Sequence, residues 1–314
     1  MRKLLKKDMS VTVTELTKIY GEQRAVDAIT FEAHPGEILG FLGPNGAGKT
    51  TTMKMLTGFV EATSGQASVS GFDVQEHPRE VRKRVGYLPE HNPLYLDMYV
   101  REYLRFVAGL NAIRKPDNRI DELIGQTGLE REQFKKIGAL SKGYRQRVGL
   151  SQAMLHDPEV LILDEPTAGL DPNQLEEIRQ LIKDLGKEKT VIFSTHIMQE
   201  VQLLCDRVLI IDRGQLVAND PIEELQARLA GEVLITLGFS ETQDAGYLKK
   251  IPGVQSIRSL GPKRWQLTAE SGSDIRPDIF RAVVEQGHVL VEFHQESASV
   301  ENVFQRLTRR TAVS

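Results

Sequence analysis

Eight consecutive residues carry the clearest chemical signal in the chain. Gly43, Pro44, Asn45, Gly46, Ala47, Gly48, Lys49 and Thr50 spell G-x-x-x-x-G-K-T directly behind the apolar run Ile38–Leu42. Lacking Cβ atoms, the glycines let the backbone take left-handed turns and bring successive N–H groups onto one anion. Lys49 adds a mobile positive charge. Thr50, with Thr51 behind it, opens a helix, so its hydroxyl can ligate Mg²⁺ while the helix N-terminus lends partial positive charge to bound phosphates. A nucleoside triphosphate is the ligand this loop implies.

A second segment supplies carboxylates. Val160, Leu161, Ile162 and Leu163 read as a buried strand ending at Asp164, where a carboxylate can hold Mg²⁺ through water beside Thr50. Glu165 follows as the candidate catalytic base. A carboxylate facing the γ-phosphate can orient and deprotonate an attacking water. Pro166 and the later Gly169-Leu170-Asp171 favour this reading over an ordinary strand-end turn.

Leu140, Ser141, Lys142, Gly143 and Tyr144, running into Arg145-Gln146-Arg147, resemble the Leu-Ser-Gly-Gly-Gln signature of ATP-binding-cassette (ABC) proteins. Lys142 stands for a glycine and Tyr144 for a glutamine. Ser141 is suited to cap the helix that follows, and Gly143 to expose backbone N–H to a second anion contact. Other cassette elements occur in the family's order. By this resemblance Tyr20 is the aromatic residue on which adenine stacks, His196 the switch histidine that reaches the γ-phosphate, and Asp171 part of a loop crossing a dimer interface. Glu90 closes Gly86-Tyr87-Leu88-Pro89-Glu90, where the family commonly has a glutamine that contacts Mg²⁺ or the attacking water. A carboxylate ligates the cation more strongly but donates no hydrogen bond while ionised.

The resemblance spans residues 10–230 and implies an α/β P-loop NTPase fold, a mixed sheet core with a helical subdomain at about 91–156. It implies an ATPase that uses Mg²⁺. Two copies, as a homodimer, would sandwich ATP head to tail, each signature closing on nucleotide held by the other copy's loop. The motion would drive an integral membrane permease on separate chains. Within the family, residues 87–104, the Ser-Lys-Gly-Tyr variant and the C-terminal extension are similar to ATP-binding subunits of ABC-2-type exporters, most of all to that of the gliding-motility-associated transporter. Such a protein is cytoplasmic and peripheral on the inner face of the cell membrane. A soluble cassette protein acting on ribosomes is the alternative, although such proteins typically carry two cassettes and here one loop and one signature occur. A chromosome-structure ATPase would need a long heptad repeat inside 50–140, and a GTPase an Asn-Lys-x-Asp segment; neither is present.

The elements that must position these residues follow from hydrophobic patterning. Strands are expected at 11–16, 24–31, Ile38–Leu42, 67–70 and Val85–Leu88, with a helix after the phosphate loop. Apolar residues then recur at helical spacing, as in Tyr99, Tyr103, Leu104 and Val107. Strands return at 160–163, 190–193 and 207–211, alternating with helices as in a parallel α/β sheet. Asp220-Pro221 reads as the cap and first position of another helix, ending at Gly231. Residues 231–314 form an accessory α+β domain, whose βαββαβ order suits a ferredoxin-like layer. Trp265 falls in its core, and a last helix at 300–309 ends on Arg306, Arg309 and Arg310.

At 314 residues, 40% hydrophobic and 26% charged, the composition suits a soluble globular protein. A net charge of −3 argues against nucleic acid as the partner. The single cysteine, Cys205, permits no intrachain disulfide and reads as an inert buried thiol. No apolar stretch approaches the roughly 18–20 residues of a spanning helix, and the basic residues 1–7 precede polar residues where a signal peptide has its apolar core.

Overall fold

Apolar runs without polar interruption, such as Ile38–Leu42, are buried on both faces only within a sheet covered on both sides. The computed structural model, which describes residues 9–229, 232–270 and 274–297, builds such a sheet. The chain divides into two units, one up to Ile222 and one from Glu223 onward. The first unit begins with β1 (Val11–Tyr20), β2 (Gln23–Ala33), β3 (Ile38–Leu42), α1 (Lys49–Leu56), β4 (Ser64–Val69), β5 (Phe72–Asp73), α2 (Pro78–Arg82) and β6 (Val85–Leu88). The helical insert follows as α3 (Val100–Leu110), α4 (Asp117–Gln126) and α5 (Lys142–Met154). The sheet resumes with β7 (Val160–Asp164), α6 (Pro172–Gly186), β8 (Thr190–Thr195), α7 (Met198–Leu204), β9 (Arg207–Asp212) and β10 (Gln215–Pro221). Then α8 (Ile222–Leu229) starts at the division.

Six strands lie in the order β10-β9-β3-β8-β7-β6, parallel except for the β9–β10 hairpin. A second, antiparallel sheet has the order β2-β1-β4-β5. Between the sheets Val11, Val13 and Phe31 pack with Leu39, Phe41, Ile162, Ile192 and Leu209. On the other face Leu161, Leu163, Val191 and Phe193 pack with Leu104, Ile120, Val148 and Ile178 of the helices. Alternation with period two thus divides each unbroken apolar run between two cores. The consequence for chemistry is positional. Leu42 pairs with Thr195, and Asp164 with Ser194, so the phosphate loop, the carboxylates and His196 all emerge from the same edge of the sheet.

Two expectations change. Asp220 and Pro221 belong to the end of β10, paired with Val208 and Arg207, and the helix starts at Ile222. Tyr99 is half-exposed ahead of α3, whose buried face is Val100, Tyr103, Leu104, Val107 and Ala108. Cys205 follows α7 in extended backbone, and burial pushes its thiol pKa well up, as an inert thiol requires.

The second unit holds β11 (Glu232–Phe239), β12 (Val254–Gly261), β13 (Arg264–Glu270), α9 (Arg276–Glu285) and β14 (Leu290–Ser297). Its antiparallel sheet has the order β12-β13-β11-β14, the arrangement of a ferredoxin-like layer, with the first helix reduced to a 3₁₀ stretch at Gly246–Lys250. Ile235, Leu237, Phe239, Leu248, Leu267, Ile279 and Val283 form its core, and Trp265 packs against them. The helix read at 300–309 with its three arginines, the helix end at Gly231 and the basic residues 1–7 lie outside the described residues. Among the described residues no helix is long and apolar enough to cross a membrane.

Gly86 seats the insert on the sheet: a Cβ there would lie 2.2 Å from the Ala153 carbonyl oxygen of α5 and 2.7 Å from Leu161 Cδ2. Gly86→Ala is therefore expected to cost about 1–3 kcal/mol, read as a lower urea midpoint of the first unfolding transition. An unchanged midpoint would show that α5 does not rest there.

Candidate nucleotide site

Close backbone packing dictates glycine at two points of the loop. A Cβ on Gly43 would sit 2.5 Å from the Ile211 carbonyl oxygen, and one on Gly48, at φ +112°, 2.5 Å from that of Ala25. Gly48 caps α1, whose first residue is Lys49. The lysine folds back over the loop. Its Nζ donates to the Gly43 carbonyl at 2.7 Å and the Pro44 carbonyl at 3.2 Å, and lies 3.4 Å from Glu165 Oε1. At 6% exposure this charge is held almost out of water.

Asp164, at the end of β7, is fully buried. Its Oδ1 accepts from Ser194 Oγ at 2.5 Å and Thr50 Oγ1 at 3.2 Å, while Oδ2 has no hydrogen-bond partner. Burial raises its pKa, Glu90 adds to the rise, and the Ser194 and Thr50 hydrogen bonds with the Lys49 charge oppose it. A buried carboxylate oxygen without a partner, beside the Thr50 hydroxyl, is a hard-oxygen donor set that fits Mg²⁺.

Glu165 takes φ +49°, a left-handed conformation that costs a side-chain-bearing residue roughly 1–2 kcal/mol. Its backbone N–H donates both to Ser194 Oγ and to the Ser194 carbonyl, each at 3.1 Å. The turn aims its side chain at two cations or donors: Oε1 at Lys49, and Oε2 at His196 Nδ1, 2.9 Å away. Strain of this kind gathers where function demands a particular direction. His196 is positioned by its neighbour, since Thr195 Oγ1 donates to Glu200 Oε2 at 2.6 Å and accepts from the Ile197 N–H at 3.0 Å. Ser194 was not singled out by sequence. One hydroxyl there donates to Asp164 and accepts from Glu165, a role that only the β7–β8 register creates.

A cavity of about 430 Å³ gathers most of the candidates: Tyr20, Asn45, Gly46, Gly48, Lys49, Thr50, Thr51, Glu90, Glu165 and His196 line it. Gly43, Pro44 and Ala47 complete the loop without lining the cavity. Gln23, Ala25 and Ala168 also line it and were missed, although Gln23 pairs with Tyr20 across the tight β1–β2 turn. Tyr20 is 48% exposed, with Lys18 Nζ over its ring 5.1 Å from the centre. Asp164 lines an adjoining cavity of about 570 Å³ that shares Thr50 and Glu90 with the first. Tyr87 lines that second cavity, its phenol pKa raised by burial first and then by Asp164 and Glu90.

The remaining candidates lie elsewhere. Ser141 caps α5, its Oγ accepting from the Tyr144 N–H at 3.4 Å, and Gly143 follows in the first turn. Asp171 caps α6, accepting from the N–H groups of Asn173 at 3.1 Å and Gln174 at 3.0 Å. None of Ser141, Gly143 and Asp171 is among the residues lining the phosphate-loop cavity.

This arrangement has known counterparts. The ABC transporter family model matches residues 26–168. Bacitracin transport ATP-binding protein BcrA of Bacillus licheniformis is 43% identical over 220 residues, covering 69% of this chain and 72% of that protein. Linearmycin resistance ATP-binding protein LnrL of Bacillus subtilis is 31% identical over 303 residues, covering 94% of this chain and 97% of that protein. Among solved structures, an ATP-binding subunit of an ABC transporter aligns with a TM-score of 0.64 at 29% identity, over 69% of this chain and 92% of that one. A glycine cradle, adjacent carboxylates at a strand end and a capped signature helix, in a chain that matches such a relative over almost its entire length, make this protein a member of the ABC transporter family, one of its ATP-binding, ATP-hydrolysing subunits.

Proposed function

We propose that the chain is the motor of an ABC-2-type exporter: a homodimer of cassettes at the inner, cytoplasmic face of the membrane, driving a permease made of separate chains. The observation that carries this reading is the division of the site. The loop, Glu165 and His196 share one cavity, whereas the signature residues Ser141 and Gly143 belong to a different part of the same unit. A second copy is needed to bring a signature onto the bound triphosphate, and two identical copies make two complete sites.

On ATP binding, Lys49 exchanges the Gly43 and Pro44 carbonyls for the β- and γ-phosphates. Tyr20 stacks on adenine. Thr50 and Asp164, with Glu90 on the shared wall, would hold Mg²⁺, which when bound neutralises charge on the phosphates. Glu165 takes a proton from water as the water oxygen bonds to the γ-phosphorus and the bond to ADP breaks. His196 holds Glu165 through Nδ1 and turns its other ring nitrogen to the γ-phosphate. Loss of the γ-phosphate removes the contacts that favour the paired state, so hydrolysis shifts the population back to separate cassettes.

The helical insert supports the coupling role. Tyr95, Leu96, Phe106 and Leu110 expose large apolar side chains on it, with the Tyr95 and Phe106 rings 5.6 Å apart, as expected of a contact surface. The narrower assignment to a gliding-motility-associated transporter rests on likeness of residues 87–104, the signature variant and the C-terminal extension. The names of two relatives, for bacitracin transport and linearmycin resistance, support export in the wider sense. In this reading residues 10–230 are the motor and residues 231–314 an accessory domain for pairing or regulation.

Glu165→Gln is expected to keep ATP affinity, lower turnover by at least roughly 10²-fold and accumulate an ATP-dependent dimer in sedimentation; near-normal hydrolysis would remove Glu165 as the base. Lys49→Ala should weaken nucleotide binding by roughly 10- to 100-fold in titrations with a fluorescent ATP analogue, and unchanged affinity would count against the cradle. Asp164 carries a raised carboxylate pKa in the folded chain, so its stabilising proton is lost, and stability with it, as pH rises from the ordinary carboxylate range through that raised value. Asp164→Asn should therefore raise the denaturation midpoint of the ATP-free chain at neutral pH while lowering Mg²⁺-dependent hydrolysis by roughly 10²-fold or more. A lowered midpoint would show that the ionised carboxylate stabilises the fold.

A further inference from the structure

Within the chain, Gln174 of α6 covers Gly143 of the signature. A Cβ on Gly143 would lie 2.2 Å from Gln174 Oε1, 2.6 Å from its Cδ and 3.2 Å from its Cγ, so the Gln174 carboxamide fills the space beside this glycine. Gly143 is buried although its neighbours Ser141 and Lys142 are exposed. The embrace is reciprocal. Lys142 from α5 lies across Gly169, where at φ +70° a Cβ would be 2.3 Å from its Nζ and 3.4 Å from its Cε.

Shape alone holds this cover. Among the described residues the Gln174 carboxamide makes no hydrogen bond and Lys142 no ion pair. One turn further along, an ion pair joins the two helices. Arg147 pairs with Glu177, donates to the Thr127 carbonyl at 2.8 Å and sits over the Tyr144 ring. The first turns of α5 and α6 are thus held to each other by packing alone, and the next turn by an ion pair. Gln174 also has somewhere else to go. Asp171-x-x-Gln174 has the capping-box pattern, in which the third residue's side chain accepts from the cap residue's own N–H. The Asp171 N–H has no hydrogen-bond partner among the described residues.

We propose that Gln174 is a two-position switch: seated over Gly143 it closes the signature, and folded back onto the Asp171 N–H it opens the signature to the triphosphate held by a second copy. This rests on the head-to-tail reading above and adds a residue outside the motifs that sets how readily the copies pair. A cover that must be displaced lowers apparent affinity by the fraction of time the site is open, so removing it should favour pairing.

The test titrates ATP against sedimentation of the full-length Glu165→Gln chain, with and without Gln174→Ala. The double variant is expected to reach half-maximal pairing at about threefold lower ATP or less, while nucleotide affinity at dilutions where chains stay single, and the denaturation midpoint, are unchanged. An equal or higher ATP requirement overturns the switch. Gln174→Ser removes the same cover and replaces Gln174→Ala if the alanine variant is poorly folded. Failure of the Glu165→Gln chain itself to pair at saturating ATP would sink the two-copy reading and the switch with it, a result distinct from pairing that ignores Gln174.

Discussion

Two adjacent carboxylates kept out of water are the constraint around which the first unit is organised. Asp164 is fully buried and Glu165 is 7% exposed. Burying charge is costly unless each group is paired or hydrogen-bonded, and the two are treated differently. Glu165 meets the Lys49 ammonium on one oxygen and His196 on the other. Asp164 receives only neutral hydroxyls and leaves one oxygen bare, and burial raises its pKa against the opposing pull of those hydrogen bonds. One carboxylate is thus satisfied within the chain, and the other keeps an oxygen of the kind a hard cation takes. The lysine paired with Glu165 is, in the proposed mechanism, also the group that meets the triphosphate, so nucleotide binding would free Glu165 to act on water.

Keeping these groups in register falls to the parallel sheet. Ser194 can bridge both carboxylates only because it stands opposite Asp164 in the β7–β8 ladder. A slip of one residue would bring Phe193 or Thr195 to that place and exchange the faces of the whole strand. What prevents the slip is the division of each strand between two cores: Val191 and Phe193 pack toward the helices and Ile192 toward the second sheet. Apolar packing with no polar atom of its own therefore sets the geometry of the most polar part of the molecule.

Legibility from sequence follows the range of each interaction. The phosphate loop, Asp164 and Glu165 were readable because their chemistry lies within consecutive residues. Ser194 was not, since its role requires a strand thirty residues away, and nothing local announces the left-handed backbone of Glu165. Asp220-Pro221 misled for a physical reason. Proline's fixed φ and missing N–H suit the first turn of a helix and equally an edge strand, and β10 is an edge strand. The accessory unit kept its strand order while its first helix shrank to five residues at Gly246–Lys250, because element order depends on apolar periodicity and helix length on packing. The contact of Gln174 with Gly143 joins segments far apart in the chain, and there the local pattern favoured a different partner, the cap of α6.

The two departures from the signature pattern become intelligible on the same terms. Tyr144 packs against the core of the helical insert and lies under the Arg147 guanidinium, 5.6 Å from the ring centre. A glutamine there could not offer that face, which is worth about 0.5–1 kcal/mol at a partly exposed site. Lys142 extends its stem across Gly169. Tyr144 thus turns onto the insert and Lys142, though exposed, lies along Gly169, and neither displaces Ser141 or Gly143 from the start of the helix. The substitutions bind the signature more closely to its own chain without removing either group that would meet a phosphate. In the proposed switch, the docking of a second copy's triphosphate on the signature is what displaces Gln174, so the cover opposes pairing and not the binding of nucleotide to a single chain.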